Sequence, residues 1–350
     1  MELFVLIFLL LVCFYLLYFF TEHYFIPSLD EIGKKLNLSS DISGATLMAA
    51  GSSAPELGVM IVSLLKPGSH GAIGVGTIVG SSLFNLFVIT GVVMVIKDKV
   101  NLIWQPLIRD LLFYAISLVL LVWFFSDGYI TFMETIILVA VYGFYILAMK
   151  KWKKIFPYKN IEESSEEFLN DNTIERLLKY LIPKPNNLTV VFILSIVVIG
   201  LLSWWLVELA IKISLIIGIP EVIIALTVIA VGTSVPDLVS SIIVAKKGRS
   251  GMAINNAIGS NVFDILIGLG LPLMLLHLFI TKNVNVNSND LNTAFWFLMT
   301  SIVIVLSFFL LAKWKTNKIF GYLLIILYIL YIVFEILCDT FNLFCFKHLF

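Results

Sequence analysis

The chain has 350 residues, of which 60% are hydrophobic and 13% charged, with 23 basic and 23 acidic side chains and a mean hydropathy of +1.03. Such a composition excludes a water-soluble globule and reads as a polytopic membrane protein with little mass outside the bilayer. The zero net charge carries no nucleic-acid footprint, and Cys13, Cys338 and Cys345 make neither an even disulfide framework nor a metal-binding spacing, so unpaired cysteines in apolar segments are expected.

A membrane-crossing helix needs about 20 mostly apolar residues. Ten such spans are predicted, at roughly 2–20, 41–65, 72–96, 104–125, 130–149, 188–208, 219–245, 252–278, 292–312 and 318–339. The first lacks the basic lead-in and small-residue cleavage site of a signal peptide, and is expected to be retained. The largest polar break, 150–187, holds Lys150, Lys151, Lys153 and Lys154, the acidic run 162–167, Pro183 and Pro185. It divides the chain into a first half (1–149, with a first repeat at 41–96), a cytoplasmic linker (150–187) and a second half (188–350, with a second repeat at 219–278). The expected fold is an all-α membrane protein of ten transmembrane helices in two inverted five-helix repeats.

Lysine and arginine set the expected orientation. With the N-terminus outside, only Lys66, Lys212, Lys282 and Lys347 fall on the outer side, and all the other basic residues fall on the inner one. The positive-inside rule then places both termini outside the cytoplasm and the central loop within it. Neither the plasma membrane nor an internal membrane is singled out by a targeting motif.

The two halves share a stretch. Gly44 to Leu57 aligns with Ala225 to Leu238 at a constant separation of 181 positions. Gly51/Gly232, Ser53/Ser234 and Pro55/Pro236 are identical pairs, while Ser52/Thr233 and Glu56/Asp237 keep a hydroxyl and a carboxylate. Downstream, the stretch from Gly80 to Asn85 is answered by that from Gly259 to Asp264. Matching interrupted segments in two halves of a membrane chain are the sequence pointer to a transporter's binding site.

Glu56, Asp237 and Asp264 are carboxylates at intramembrane positions, which is costly unless they face a polar cavity or a cation. Their neighbours are oxygen-rich: Ser52, Ser53, Thr233, Ser234, Ser81, Ser260, Asn85 and Asn261. Pro55 and Pro236 remove backbone donors, which makes the carbonyls of Ala49 (or Ala50) and Ala230 further candidate ligands. Hard cations take such all-oxygen coordination, and the lack of nearby His or Cys favours Ca2+, Na+ and K+ over softer transition metals. The competing readings stay open: serines as packing residues, and Asn85 and Asn261 as interhelical hydrogen-bond glue. Glu208 reads as a structural partner of Lys212 at i+4. Glu134, Glu335 and Asp339 fall near predicted span ends and read as solvated, as does the acidic linker run.

The motifs Gly51-Ser-Ser-Ala-Pro-Glu56, Gly232-Thr-Ser-Val-Pro-Asp237 and Gly259-Ser-Asn-Val-Phe-Asp264 resemble those of the cation/Ca2+ exchanger superfamily, and within it the potassium-dependent sodium/calcium exchangers. The resemblance implies a sodium/calcium-exchanger-like fold and a secondary antiporter rather than an enzyme. It implies that Glu56 and Asp237 serve both Ca2+ and Na+, and that Ser52, Ser53, Thr233 and Ser234 complete those sites. It also implies that Ser81, Ser260 and Asn85 line flanking sites and that Asp264 is the position associated with K+. Ser53 and Ser234 favour Na+ over H+ on the same comparison. The ions and the lipid bilayer are the only partners implied; no prosthetic group and no obligatory protein partner are. Three alternatives remain at this stage: a proton-coupled Ca2+/cation exchanger, a cation channel, and an intramembrane aspartyl hydrolase using Asp237 and Asp264.

Overall fold

Apolar runs long enough to cross a bilayer become helices, and the breaks between them fall at Gly, Pro, Ser and charged residues. The computed structural model describes residues 2–35, 47, 49–66, 70–99, 101–126, 128–158, 187–246, 250–279, 284–285 and 292–340. Among the described residues the first half is built from α1 (Glu2–Lys35), α2 (Ala49–Ser52), α3 (Ala54–Leu65), α4 (Gly71–Ile96), α5 (Trp104–Phe125) and α6 (Phe132–Ile155). The second half repeats that series as α7 (Leu188–Ile217), α8 (Glu221–Thr233), α9 (Val235–Lys246), α10 (Ser250–Phe279), α11 (Asn292–Leu311) and α12 (Lys318–Thr340).

Eight of these helices are long and apolar enough to span a membrane, and the pair α8–α9, bent by 42° at Ser234, makes a ninth. The remaining predicted span, the second at 41–65, corresponds to α2 and α3; its beginning, 41–46, lies outside the described residues, as does the acidic linker run. Several boundaries differ from expectation. The first span continues through a π-helical turn, Thr21–Phe25, to Lys35. The sixth runs to Ile217 and ends on Gly218, whose φ of +75° suits glycine after a helix. Lys150 to Lys154 do not begin a loop but continue α6, which Thr131 and Glu134 start with a reciprocal capping box.

Two interlocks show how the halves are related. Between α4 and α5, Lys99 N–H donates to the Thr316 carbonyl (2.9 Å) and Leu102 N–H to the Trp314 carbonyl (2.8 Å), in the turn between α11 and α12. Between α5 and α6, β1 (Tyr129–Ile130) pairs antiparallel with β2 (Val284–Asn285), which lies between α10 and α11. Thus α5 runs from the first interlock to the second, and α11 from the second back to the first. Equivalent helices of the two halves point in opposite directions, as an inverted repeat requires.

The apolar interior divides in two. The larger cluster joins α4, α5, α6, α10, α11 and α12. The smaller one is built mainly by α1 and α7, packed on each other and on α3, α4 and α8. Where α7 meets α3, Lys66, itself buried, pairs with Glu208, which also holds Lys212 at 3.5 Å, so the structural role read for Glu208 extends across helices. Cys13 is free and buried, donating to the Leu202 carbonyl at 3.2 Å. Glu335 is 4% exposed and therefore not solvated as its position near a span end suggested.

Close approach depends on glycine. A Cβ on Gly80 would lie 2.2 Å from the Leu226 carbonyl oxygen and 2.7 Å from Ala230 Cβ, so α4 crosses α8 backbone to backbone. Gly80→Ala is expected to lose about 1–3 kcal/mol through forced separation of the helices; an unchanged thermal midpoint of the detergent-purified variant would contradict that crossing.

Candidate functional site

Both repeats break at the second of two consecutive hydroxyl residues, Ser53 and Ser234. Ser53 (φ −88°, ψ 9°) and Ser234 (φ −84°, ψ 5°) adopt the same bridge conformation, each just before a helix with proline in its first turn. The hydrogen bonds around the breaks match as well. Ser53 and Ser234 N–H donate to the Ala49 and Ala230 carbonyls at 3.0 and 3.2 Å, and Leu57 and Leu238 N–H to the Ser53 and Ser234 carbonyls at 3.0 Å. The candidate carbonyls are thus engaged: Ala49 also accepts from Ser52 Oγ (3.4 Å) and Ala230 from Thr233 Oγ1 (3.3 Å). In an α-helical register, a proline at 55 or 236 instead removes the donor that would serve the carbonyl of Gly51 or Gly232.

The breaks put Glu56 and Asp237 one turn into α3 and α9, and both are 1% exposed. Each acid is held by groups from the other half. Ser234 Oγ donates to Glu56 Oε1 (3.1 Å), with Thr233 alongside. Asn85 Nδ2 donates to Asp237 Oδ2 (3.3 Å), with Ser52 and Ser260 close by.

The second motif of each repeat sits on a π-helical turn, a rare geometry frequent at functional sites. In α4 the turn is Phe84–Ile89, and in α10 it is Asp264–Leu269, so Asn85 and Asp264 occupy corresponding places. Asn85 is the hub. Besides Asp237, its Nδ2 reaches Ser260 Oγ and Asn261 Oδ1, both at 3.1 Å, while Oδ1 stays without a donor. Asn261 is spent at both ends, its Nδ2 donating to the Ser82 carbonyl at 2.9 Å, which is the interhelical-glue arrangement. Ser81 and Ser260 bond back to the Ile78 and Ala257 carbonyls at 2.9 and 3.1 Å. Asp264, 1% exposed, lies near Glu56 and Asp237 and beside Ser53, yet neither of its oxygens is hydrogen-bonded.

The structure thus gathers Glu56, Asp237, Asp264, Ser52, Ser53, Thr233, Ser234, Ser260 and Asn85 into one buried region. Glu56 Oε2, Asp237 Oδ1, both Asp264 oxygens, Ser53 Oγ and Asn85 Oδ1 all lack a protein donor there. Buried oxygens in native proteins are nearly always paired, and a set of carboxylate, amide and hydroxyl oxygens with no donor aimed at them suits a cation. Among the described residues no three His, Cys, Asp or Glu side chains are close enough to chelate a metal ion by themselves. Hydroxyl, amide and backbone oxygens would supply the remaining ligands. Ser82 and Tyr114, both fully buried with unpartnered hydroxyls, escaped the sequence reading. Ser82 lies within the first motif, where the neighbouring Ser81 is the serine matched by Ser260; Tyr114 lies alone in an apolar span with no local signal.

The family model described as "Sodium/calcium exchanger protein" matches residues 6–151 and 187–337. Human sodium/potassium/calcium exchanger 4 is 27% identical, over 96% of this chain and 81% of its own length. Sodium/potassium/calcium exchanger 2 of Gallus gallus is 26% identical, over 91% and 75%. Over a shorter stretch, 38% of this chain, identity to human sodium/potassium/calcium exchanger 1 rises to 45%, covering 12% of that protein. Among solved structures, the sodium-calcium exchanger NCX_Mj soaked with 100 mM Na+ and 10 mM Sr2+ superposes with a TM-score of 0.57 at 23% identity, covering 94% of this chain and 98% of that one. That likeness establishes the fold. With a family model spanning both halves and the solved exchanger fold matched over 94% of its length, the chain belongs to the sodium/calcium exchanger family of multi-pass membrane transporters.

Proposed function

We propose that this protein exchanges Na+ for Ca2+ across its membrane, with K+ carried alongside Ca2+, by alternating access around the buried acidic cluster. The observation that carries this reading is the reciprocal hold on the two repeat acids, Ser234 on Glu56 and Asn85 on Asp237, each from the opposite half. A site built jointly by two inverted halves is what a secondary transporter places at the membrane midplane.

In this reading Glu56 and Asp237 serve Ca2+ and Na+ in turn, assisted by Ser52, Ser53, Thr233 and Ser234. Ser81, Ser260 and Asn85 line the flanks. The Ala49 and Ala230 carbonyls reach an ion only by giving up a helix bond. Three ionised carboxylates are balanced either by Ca2+ with one monovalent cation or by three Na+, so a bare site is disfavoured from crossing and each gradient drives the other. The K+ assignment rests on Asp264 and on the relatives, whose names include potassium. Both termini are placed outside the cytoplasm by the Lys/Arg distribution.

Access changes require something to move. The separate packing of α1 and α7 supports their sliding against the other helices. Phe14 of α1 lies directly on Gly232, where an added Cβ would stand 2.2 Å from the ring. Gly232→Ala is therefore expected to slow exchange by about tenfold or more, roughly 1.4 kcal/mol on the barrier, and Phe14→Ala to relieve it in the double variant. Stopped-flow Ca2+ flux checks this; additive losses would rule out the contact.

The decisive test is Ca2+ uptake into proteoliposomes loaded with Na+, with and without external K+. Uptake is expected to need both ions, and Asp264→Asn to abolish the K+ requirement. Na+-driven uptake indifferent to K+ would remove the potassium claim. Uptake that ignores Na+ and follows a pH gradient would replace the reading with proton coupling. Orientation is checked separately by cysteine labelling: a cysteine at Ser126 is expected to react from outside and one at Asn317 from inside, and the reverse pattern would invert the assignment.

A further inference from the structure

Asp264 is the least satisfied of the three acids. Glu56 and Asp237 each have one oxygen bonded to a donor, whereas Asp264 has none. Beyond Ser53, Glu56 and Asp237, one more polar group comes from an unexpected helix. α5 packs along α10 and reaches its π-helical turn. There α5 presents Tyr114, fully buried in the larger core, whose hydroxyl lies beside Ser82 and Asn261 and near Asp264 without closing a hydrogen bond. Ser82 Oγ is likewise buried and unpartnered. Asn261 is largely committed elsewhere, its oxygen accepting from Asn85 and one of its amide hydrogens going to the Ser82 carbonyl.

A phenol placed in a core merely to fill space leaves a hydroxyl stranded at a cost of about 1–3 kcal/mol. Phenylalanine would fill the same volume without it. Two stranded hydroxyls on different helices, α4 and α5, lying beside one another with the phenol within electrostatic reach of an unpaired carboxylate, have a common explanation in a shared ligand. Resting on the reading that Asp264 holds a monovalent cation, we propose that Tyr114 and Ser82 are ligands of that ion, with the Tyr114 hydroxyl setting which monovalent cation fits. The chemistry suits a large, weakly hydrated ion: one carboxylate supplies charge and neutral hydroxyls supply number. Selectivity among hard cations follows cavity size and ligand number. Tyr114 is anchored by packing on a long helix, so its oxygen cannot readily collapse onto a smaller ion.

The test uses the full chain purified in detergent, reading thermal stabilisation by K+, Na+ or Li+ against a choline baseline, and by Ca2+ separately. Tyr114→Phe keeps the ring that fills the core, and Ser82→Ala gives an independent second variant. Each is expected to raise the half-saturating K+ concentration about tenfold, the loss of roughly one ligand interaction, with a smaller shift for Ca2+ and a narrowed preference for K+ over Na+. Wild-type K+ half-saturation in both variants would overturn the proposal. So would K+ and Ca2+ half-saturations rising in parallel, the mark of general loosening. If the wild type itself does not respond to K+, the assignment of Asp264 fails and the proposal falls with it, a result told apart by the silent wild type.

Discussion

Three carboxylates close enough to repel one another, all but closed off from solvent inside a membrane protein, set the terms for what surrounds them. At low dielectric, like charges at short range repel far more strongly than they would in water, and each ion separately loses its hydration. The local architecture answers this in three ways. Hydroxyl and amide donors are brought from the opposite half, the helices are interrupted beside the acids by a serine and a proline, and several side-chain oxygens are left without donors. The helix breaks at Ser53 and Ser234 and the π-helical turns at Asn85 and Asp264 are irregularities of a kind tolerated at membrane depth only where they are buried in protein or line a cavity.

Much of this was legible in the sequence because membrane burial leaves polar residues few places to hide. The constant spacing of the two repeats pointed to the paired breaks, and the apolar runs located the spans. The acids gathered where the repeats implied. What the residues could not show was geometry that depends on helix register. The extension of α1 to Lys35 follows from helical continuity through a polar stretch that hydropathy alone counts as loop. The burial of Glu335 depends on neighbours from other helices, not on its distance from a span end. A π-helical turn rotates the side chains that follow it, and nothing in Phe84 to Ile89 announces one.

The same limit explains the mixed outcome at the amides. Asn85 and Asn261 look alike in the two motifs, yet Asn85 keeps a free oxygen at the site while Asn261 is consumed bridging α10 to α4. Tyr114 illustrates the opposite problem. Its contribution comes wholly from the packing of α5 on α10, so an apolar span with one phenol looks like any other core segment until the helices are assembled.

The antiparallel course of α5 and α11 carries a consequence for the transport cycle as a whole. When two halves of a protein share a plan but face opposite ways, the contacts one half makes in a given state are a template for those the other half makes in the opposite state. In the proposed cycle, exchanging the roles of α1 and α7 would give the opposite-facing state without a new fold. The symmetry is incomplete in charge at one motif pair, Asn85 against Asp264, where an amide answers a carboxylate. In the proposed exchange, that single unmatched charge is what tells the two ends of an otherwise paired site apart.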